Sequence, residues 1–409
     1  DCDEKKNALR NLFKNSKVAF IYGAAGTGKS TMINYISSLF KDKQKIFLAN
    51  TNPAVENLRR KVTAEHAEFV TITKFLSKDV SNDCDILCLD ECSTISNRDM
   101  VRVLQRAQCK LLVLVGDIYQ IESILFGNWF NIAYKVMPKD SVAELTRPHR
   151  TTVQGLIEVW NKVREITEDR LEFITRNGLS STLDESIFSR TEEDEIVLCL
   201  NYDGIYGINN INKFLQSNNV NPSINWGVLS YKVGDPVLFN ESNRFAPLVY
   251  NNLKGKILQI EEEEDCIYFT IEVYTVLNEL DVIGFDLELK ESVTDETSVI
   301  RFKVGRGGDG NDDNDNVENV VPFQVAYAIS IHKAQGLEYE SVKVVITSEI
   351  EEMVSHNIFY TAITRAKSKL KIYWSPETEK RILENMKVQF NDKDYQLFKA
   401  KYKEALLKS

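Results

Sequence analysis

The sequence predicts an α/β protein built on parallel sheets, and three observations support this fold class. A glycine-rich loop stands between an apolar strand and a periodic helix at residues 18–40. Apolar runs alternate with helical segments over residues 45–117, and a second such pattern starts at 195, pauses, and resumes at 321. Short strands with turns fill the gap, so we expect two α/β domains with a small β-barrel inserted in the second.

The glycine-rich loop carries a complete phosphate-binding pattern. Residues 23–31 read GAAGTGKST, which fits G-x-x-x-x-G-K-[ST] at every fixed position. Glycines let successive backbone N–H groups turn inward around a phosphate, and the following helix adds its positive dipole end. Lys29 can then reach the β- and γ-phosphates, and the Ser30 hydroxyl can bind Mg²⁺. The loop predicts a nucleoside triphosphate site formed by Gly23, Gly26, Thr27, Gly28, Lys29, Ser30 and Thr31.

Further strands follow this loop in the first block. Apolar runs at 45–50, 69–72, 85–89 and 110–115 are typical of parallel strands covered on both faces, and Pro53 suits the first turn of a helix. Residues 144–150 close the block, and apolar residues at helical spacing follow from 153 to 166. Since ligands bind beyond the carboxyl ends of parallel strands, polar residues at those ends are candidate site residues.

Three polar residues at such strand ends fit phosphoryl chemistry. Asp90 and Glu91 follow an apolar strand, where one carboxylate can hold Mg²⁺ and its neighbour can orient or deprotonate the attacking water. We assign Asp90 to the metal, together with Ser30, and Glu91 to the water. Gln120 ends the next strand and is a candidate contact to the γ-phosphate, although the preceding Gly-Asp pair is also an ordinary turn.

Two arginines are candidate stabilisers of the transferring phosphoryl group. An arginine finger contributes about 10³–10⁵ in rate when it reaches that group. Arg150 and Arg365 are the candidates here. For either residue taken singly, a surface salt bridge is the commoner explanation.

Charge and cysteine content limit the function classes. The 409 residues hold 50 Lys and Arg against 60 Asp and Glu, a net charge of −10, so any nucleic-acid site must be a locally basic cleft. Seven cysteines fit no secreted disulfide framework, and Cys84, Cys88 and Cys92 are predicted to be buried thiols. No signal peptide or membrane-spanning run is present, so we expect a cytoplasmic protein without a membrane partner. Asp1 stands where Met would open a complete chain, which leaves room for a missing N-terminal region.

The ordered motifs resemble those of superfamily 1 helicases, most closely the RecD-like, 5′→3′ branch that includes the phage Dda type. In chain order they are GAAGTGKST, ANTNPAVENL, TITKFL, ILCLDECS, VLVGDIYQIE, LTRPHRT, AYAISIHKAQGLEYESV and FYTAITRAK. The resemblance covers nearly the whole chain. It implies two RecA-like domains with ATP and Mg²⁺ in the cleft between them. VGDPVLFNESNR followed by NNLKGKILQI resembles the SH3-like barrel inserted in the second domain of that branch.

The resemblance also implies domain boundaries. The first RecA-like domain is expected at 1–150 and the second at 151–225 and 319–409. The inserted SH3-like barrel is expected at 226–318, with an acidic segment at 305–319 whose Gly, Asp and Asn content is typical of a mobile loop.

Roles for individual residues follow from their motif positions. Lys29, Ser30, Asp90, Glu91 and Gln120 keep the roles argued above, and Arg150 and Arg365 match the family's arginine fingers. Gly336 and Glu338 resemble the segment that senses nucleotide, with the acid near the ribose. Contacts to single-stranded nucleic acid are implied for Thr51, Thr71 and His332.

The sequence departs from the family pattern at three places. Lys5 stands near the position of the adenine-recognising Gln, and no Gln precedes Gly23. The stretch between Phe75 and Asp85 is short, so the wedge-bearing insert is predicted to be small or absent. Thr73 stands where a His is expected.

These observations favour an ATP-driven translocase on single-stranded nucleic acid, a 5′→3′ DNA helicase. An RNA helicase or ribonucleoprotein remodeller stays open, because phosphate contacts do not read the 2′-OH. A nucleotide-gated switch or assembly ATPase, held in a larger complex by a protein partner, also stays open and is favoured by the negative net charge. A P-loop kinase would leave LTRPHR, HKAQGLE and TAITRAK unexplained.

Overall fold

The computed structural model describes residues 17–77, 82–121, 127–240, 244–246, 248–292, 294–306, 319–387 and 392–408. Lys5 and most of the acidic segment at 305–319 lie outside these residues. The chain divides into two compact units. Unit 1 comprises the described parts of Asp1–Ser180, Glu351–Leu370 and Pro376–Ser409, and unit 2 those of Ser181–Ile350 and Lys371–Ser375. This division by packing differs from the domain boundaries expected above, which stay a prediction.

The strands, in chain order, are β1 (Val18–Gly23), β2 (Lys45–Ala49), β3 (Ala67–Thr71), β4 (Asp83–Leu89), β5 (Gln108–Gly116), β6 (Val142–Leu145), β7 (Ser180–Ser181), β8 (Glu195–Cys199), β9 (Ser223–Trp226), β10 (Leu229–Lys232), β11 (Pro236–Phe239), β12 (Lys254–Glu262), β13 (Cys266–Val273), β14 (Glu288–Lys290), β15 (Ser298–Gly305), β16 (Phe323–Val325), β17 (Ala328–Ser330), β18 (Tyr339–Val345) and β19 (Ala366–Tyr373). The α-helices are α1 (Lys29–Leu39), α2 (Asn52–Lys61), α3 (Ile72–Leu76), α4 (Asn97–Arg106), α5 (Trp129–Val136), α6 (Gln154–Glu165), α7 (Arg170–Arg176), α8 (Ile208–Ser217), α9 (His356–Ile363), α10 (Pro376–Asn385) and α11 (Asp392–Lys408).

Unit 1 is built on a parallel sheet whose described strands run in the order β3-β2-β4-β5-β1-β6. Side chains along each strand point alternately to the two faces of the sheet, and helices cover both faces. Ile21 of β1 packs with Met32 of α1 on one face, and Phe20 stacks on Phe130 of α5 on the other, with ring centroids 4.4 Å apart. The predicted doubly covered parallel sheet is confirmed, and it places the β1–α1 loop at the carboxyl edge.

Buried thiols lie within this sheet, as the sequence predicts. Cys84 and Cys88 belong to β4, and Cys92 follows that strand. All three are buried free cysteines. They pack with the apolar side chains of the unit 1 core and contribute to its stability.

Unit 2 combines a sheet of α/β type with an antiparallel sheet. In the first, β8 pairs in parallel with β17 and with β18. In the second, the order is β14-β15-β13-β12-β11-β16. The short strands predicted between the two halves of the second α/β pattern are confirmed as β11, β12 and β13. Aromatic side chains fill the core of this antiparallel sheet: Tyr231, Phe239, Phe245, Phe269, Phe302 and Phe323.

A buried carboxylate joins the elements of unit 2. Asp235 is fully buried and accepts hydrogen bonds from Gln216 Nε2 at 2.6 Å and Asn219 Nδ2 at 2.9 Å. It also accepts from the Lys232 backbone N–H at 2.9 Å and the Tyr327 hydroxyl at 2.8 Å. A buried polar group costs free energy unless it is hydrogen-bonded in this way. The four bonds therefore tie α8 to the antiparallel sheet and to the segment that leads into β17.

Of the helices described, none is both long enough and apolar enough to cross a bilayer.

Candidate nucleotide site

The glycine-rich loop has the backbone that its sequence predicts. Gly26 and Gly28 have φ angles of +75° and +79°, in the left-handed region that favours glycine. A Cβ on Gly26 would lie 2.4 Å from the Cβ of Arg150, and one on Gly23 would lie 2.5 Å from the Leu145 carbonyl oxygen. Gly26 is therefore required by space as well as by backbone conformation, and Gly23 is required by space. The loop lies against the segment that follows β6.

Lys29 lies along this loop at the start of α1. Its Nζ donates hydrogen bonds to the carbonyl oxygens of Gly23 and Ala24, each at 2.9 Å. Burial lowers the pKa of the ammonium group, and the carboxylates of Asp117 and Asp90 oppose that shift. The Thr27 hydroxyl donates to the same Ala24 oxygen at 2.9 Å, so it supports the loop from within. A positive charge is thus held where a phosphate would be cradled.

Asp90 and Glu91 lie at the end of β4, as expected. The Asp90 carboxylate is buried and accepts a hydrogen bond from the Glu91 backbone N–H at 2.9 Å. Glu91 has φ +51°, a left-handed conformation that is uncommon outside glycine and is found at functional sites. Burial and the neighbouring Asp90 raise the pKa of Glu91 to about 7, while Arg365, Lys29 and Arg150 act in the opposite direction. A carboxyl group with this pKa suits a general base at neutral pH.

Asp117 is a further acidic group at this edge, which sequence reasoning passed over as part of a turn. It follows β5, is only 2% exposed, and accepts from the Tyr119 backbone N–H through Oδ1 at 3.0 Å. Its Oδ2 is buried without a hydrogen-bond partner among the described residues. Burial raises its pKa, and Lys29 opposes the shift. Its position at the end of a strand beside β1 and β4 is the signal that could have identified it. Gln120 belongs to the same turn and is half-buried, and its phosphate contact stays a prediction.

Both predicted arginines belong to unit 1 with the loop. Arg150 Nη1 donates to the Thr364 carbonyl oxygen at 2.6 Å. The next residue, Arg365, is 2% exposed, and its Nε donates to the Thr361 carbonyl oxygen at 2.9 Å. Such burial rules out a surface salt bridge as the explanation for Arg365. Both guanidinium groups oppose the rise in the pKa of the Glu91 carboxyl.

The side chains expected to hold Mg²⁺ have suitable chemistry. Ser30 lies in the first turn of α1, and Asp90 supplies a buried carboxylate at the neighbouring strand end. Hydroxyl and carboxylate oxygens are the donors that Mg²⁺ prefers, and the ion commonly takes its remaining ligands from phosphates and water. Within the described ranges, no three His, Cys, Asp or Glu side chains form a ready metal site. An Mg²⁺ ion that takes some of its ligands from bound phosphates and water therefore fits these residues better than a metal held by protein ligands alone.

The residues expected to contact nucleic acid are helix caps or turn residues. Thr51 Oγ1 accepts from the Ala54 N–H at 3.4 Å, and Thr71 Oγ1 accepts from the Lys74 N–H at 3.3 Å. Since β2 and β3 are neighbours, both caps lie at the carboxyl edge of one sheet. His332 is exposed in unit 2, after β17. The positions of these three residues do not establish a contact with nucleic acid, so the three roles stay predictions.

The expected nucleotide-sensing residues also belong to unit 2. Gly336 has φ +81°, so the turn that it forms favours glycine. Glu338 is half-buried just before β18, and its carbonyl oxygen accepts from Lys254 Nζ at 3.3 Å. Their contact to the nucleotide stays a prediction.

Two family models match this chain. An AAA domain matches residues 3–184, and a UvrD-like helicase C-terminal domain matches residues 325–373.

Three curated relatives align over most of the chain. An uncharacterized protein of Methanocaldococcus jannaschii, MJ1519, is 24% identical over 90% of this chain and 37% of its own length. The RecBCD enzyme subunit RecD of Mycolicibacterium smegmatis is 21% identical over 94% of this chain and 73% of its own. The ATP-dependent DNA helicase Pif1 of Campylobacter jejuni is 23% identical over 87% and 88%. The chain thus spans little more than a third of the first relative and most of the other two.

Solved structures of Pif1 helicases share the fold. The Bacteroides enzyme crystallised with ADP-AlF3 and single-stranded DNA has a TM-score of 0.57 at 17% identity, covering 98% of this chain and 97% of its own. The Candida albicans enzyme has a TM-score of 0.58 at 18% identity, covering 98% and 99%. In motif order, in the two matched family models and in fold, the chain is therefore similar to RecD- and Pif1-type superfamily 1 helicases.

Proposed function

We propose that this chain is an ATP hydrolase that moves 5′→3′ along single-stranded DNA and separates DNA strands. The observation that carries the proposal is the convergence, within unit 1, of the phosphate loop with Lys29, the Asp90–Glu91 pair and the buried Arg365. Phosphoryl transfer needs little covalent chemistry from the protein, and these groups supply the positioning and charge that it does need.

Each of these side chains has a distinct part in hydrolysis. The loop N–H groups and Lys29 bind the phosphates, and Glu91 takes the proton of the attacking water. Arg150 and Arg365 neutralise charge that develops on the terminal phosphate. Ser30 and Asp90 would hold Mg²⁺, which would supply further charge neutralisation when bound. Glu91 is suited to its step because its pKa of about 7 leaves much of it ionised at neutral pH.

Similarity to RecD and Pif1 proteins supports the choice of DNA, the direction of movement and the domain roles. The Pif1 relative is an ATP-dependent DNA helicase by name, and a Pif1 structure of the same fold holds single-stranded DNA. We extend to this chain the 5′→3′ direction of that branch, the domain boundaries set out above, and an SH3-like identity for the antiparallel sheet. Thr51, Thr71 and His332 are the proposed DNA contacts, and Gly336 and Glu338 the proposed nucleotide sensors.

A cytoplasmic location fits the cysteines. Those described are free thiols. Free cysteines are typical of proteins kept in a reducing compartment.

Displacement of streptavidin tests the direction of movement without requiring strand separation. An oligodeoxynucleotide carries biotin at either its 3′ or its 5′ end, and the chain is added with ATP and Mg²⁺. We expect streptavidin to leave the 3′-labelled strand at least about tenfold faster, because a 5′→3′ motor runs toward that end. Glu91→Gln is the inactive control. Faster release from the 5′ label would contradict the proposed direction, and activity on the RNA version alone would favour the RNA helicase.

A further inference from the structure

We propose that the hydroxyl of Tyr360 binds the terminal phosphate of ATP and so allows this site to distinguish ATP from ADP; the inference rests on the function proposed above. Tyr360 lies in α9, and its hydroxyl accepts a hydrogen bond from the Ala25 backbone N–H at 3.2 Å. Ala25 is the third residue of the glycine-rich loop, whose N–H groups cradle phosphates. The phenol oxygen therefore lies at the wall of the phosphate cradle.

The Tyr360 O–H is still available to donate a hydrogen bond to a ligand. A phenol has one O–H donor besides its acceptor lone pairs, and the bond from Ala25 uses only a lone pair. Among the described residues, the hydroxyl donates to no protein acceptor. Burial raises the pKa of Tyr360 well above its usual value, so the group remains protonated at neutral pH. A phosphate oxygen is a strong acceptor for such a donor.

Packing fixes the position of this hydroxyl. The Tyr360 side chain is fully buried, with its ring edge-on to Tyr119 at 6.2 Å and stacked with His356 at 6.3 Å between centroids. The adjacent Thr361 Oγ1 accepts from the Ile121 N–H at 3.1 Å, which ties α9 to the segment after β5. A donor that is already positioned needs no reorganisation when the phosphate binds.

The charges around Tyr360 belong to the nucleotide site. Asp117 raises the pKa of the phenol, whereas Arg164 and Arg150 act in the opposite direction. The same Asp117 acts on Lys29, which lies along the loop beside Ala25. The hydroxyl, held on the Ala25 N–H of the loop, therefore lies in the same part of unit 1 as Lys29. ADP lacks the terminal phosphate, so a contact there favours ATP alone.

Tyr360→Phe in the full chain removes the hydroxyl and keeps the ring. Equilibrium competition measures the affinities for ADP and for a non-hydrolysable ATP analogue, both with Mg²⁺. We expect the preference for the analogue over ADP to fall about tenfold, as for loss of one hydrogen bond to a charged group. The affinity for ADP should stay within about twofold, and the KM for ATP should rise. Tyr231→Phe is the matched control, because that buried hydroxyl has no hydrogen-bond partner among the described residues and lies in unit 2.

Two results would overturn the inference. An unchanged ratio of the two affinities means that Tyr360 only supports the loop. This holds whether neither affinity changes or both change by the same factor with the melting temperature preserved. Failure of the wild-type chain to bind either nucleotide removes the proposed function and this inference together. Normal binding by the wild type with an unchanged ratio in Tyr360→Phe removes this inference alone.

Discussion

Replacement of Lys29 by alanine is expected to lower ATP hydrolysis by at least about 10³-fold, since a preorganised charge on the transferring phosphate is among the largest catalytic terms. The structure places the Lys29 ammonium against the Gly23 and Ala24 carbonyls of the loop, both at 2.9 Å. The side chain thus lies in the cradle before any phosphate is added. Turnover is measured at saturating ATP and Mg²⁺.

The matched control for this variant is Lys110→Ala. Lys110 is also in unit 1 and pairs with Asp85 at 2.7 Å, but its side chain is 82% exposed near the amino end of β5. Its removal should leave turnover within about twofold, because surface ion pairs contribute little. Retention of normal turnover by a folded Lys29→Ala chain would contradict the assignment of this loop as the site of hydrolysis.

Replacement of Glu91 by glutamine is expected to lower turnover by about 10²–10⁴-fold, the usual contribution of a general base, while nucleotide binding persists. In the wild type, only the ionised carboxylate can accept a proton. Its pKa is about 7, so the active fraction rises with pH and reaches half near pH 7. Below that point, turnover should fall about tenfold for each pH unit.

The pH profile of turnover between pH 5.5 and 9 checks this assignment. Glu158→Gln, at an exposed position of α6, is the control and should keep the wild-type profile. The residual turnover of Glu91→Gln should lack the acid limb centred near pH 7. If that limb persists unchanged in Glu91→Gln, another group carries the titration and Glu91 is not the base.

Local signals made the first strand, loop and helix predictable. The apolar run, the glycine pattern and the periodic helix all indicate the same structure, so the sequence locates β1, α1 and Lys29 correctly. The ends of β4 and β5 follow from the same reasoning, because carboxyl ends of parallel strands meet at one edge. Asp90 and Glu91 could therefore be placed at this edge from their sequence positions alone, and their roles stay predictions.

Contacts between distant residues were less accessible to sequence reasoning. Asp117 follows a glycine in a dipeptide common in turns, so its burial and its unpaired Oδ2 emerge only from tertiary packing. The contact of Ala25 with Tyr360 joins residues 335 positions apart. No local pattern indicates which side chain of α9 meets the loop. The division into compact units likewise depends on long-range packing, which motif order does not show.

A single strand of nucleic acid is expected to drive the ATPase, and steady-state hydrolysis with and without that strand measures this coupling. Turnover is measured alone, with single-stranded DNA and with single-stranded RNA, using Glu91→Gln as the blank. We expect DNA to raise turnover at least about tenfold, with the stimulation weakening as salt is increased, because binding to phosphates releases counterions. Turnover that neither polymer changes would contradict the claim and favour a nucleotide-gated switch or assembly ATPase.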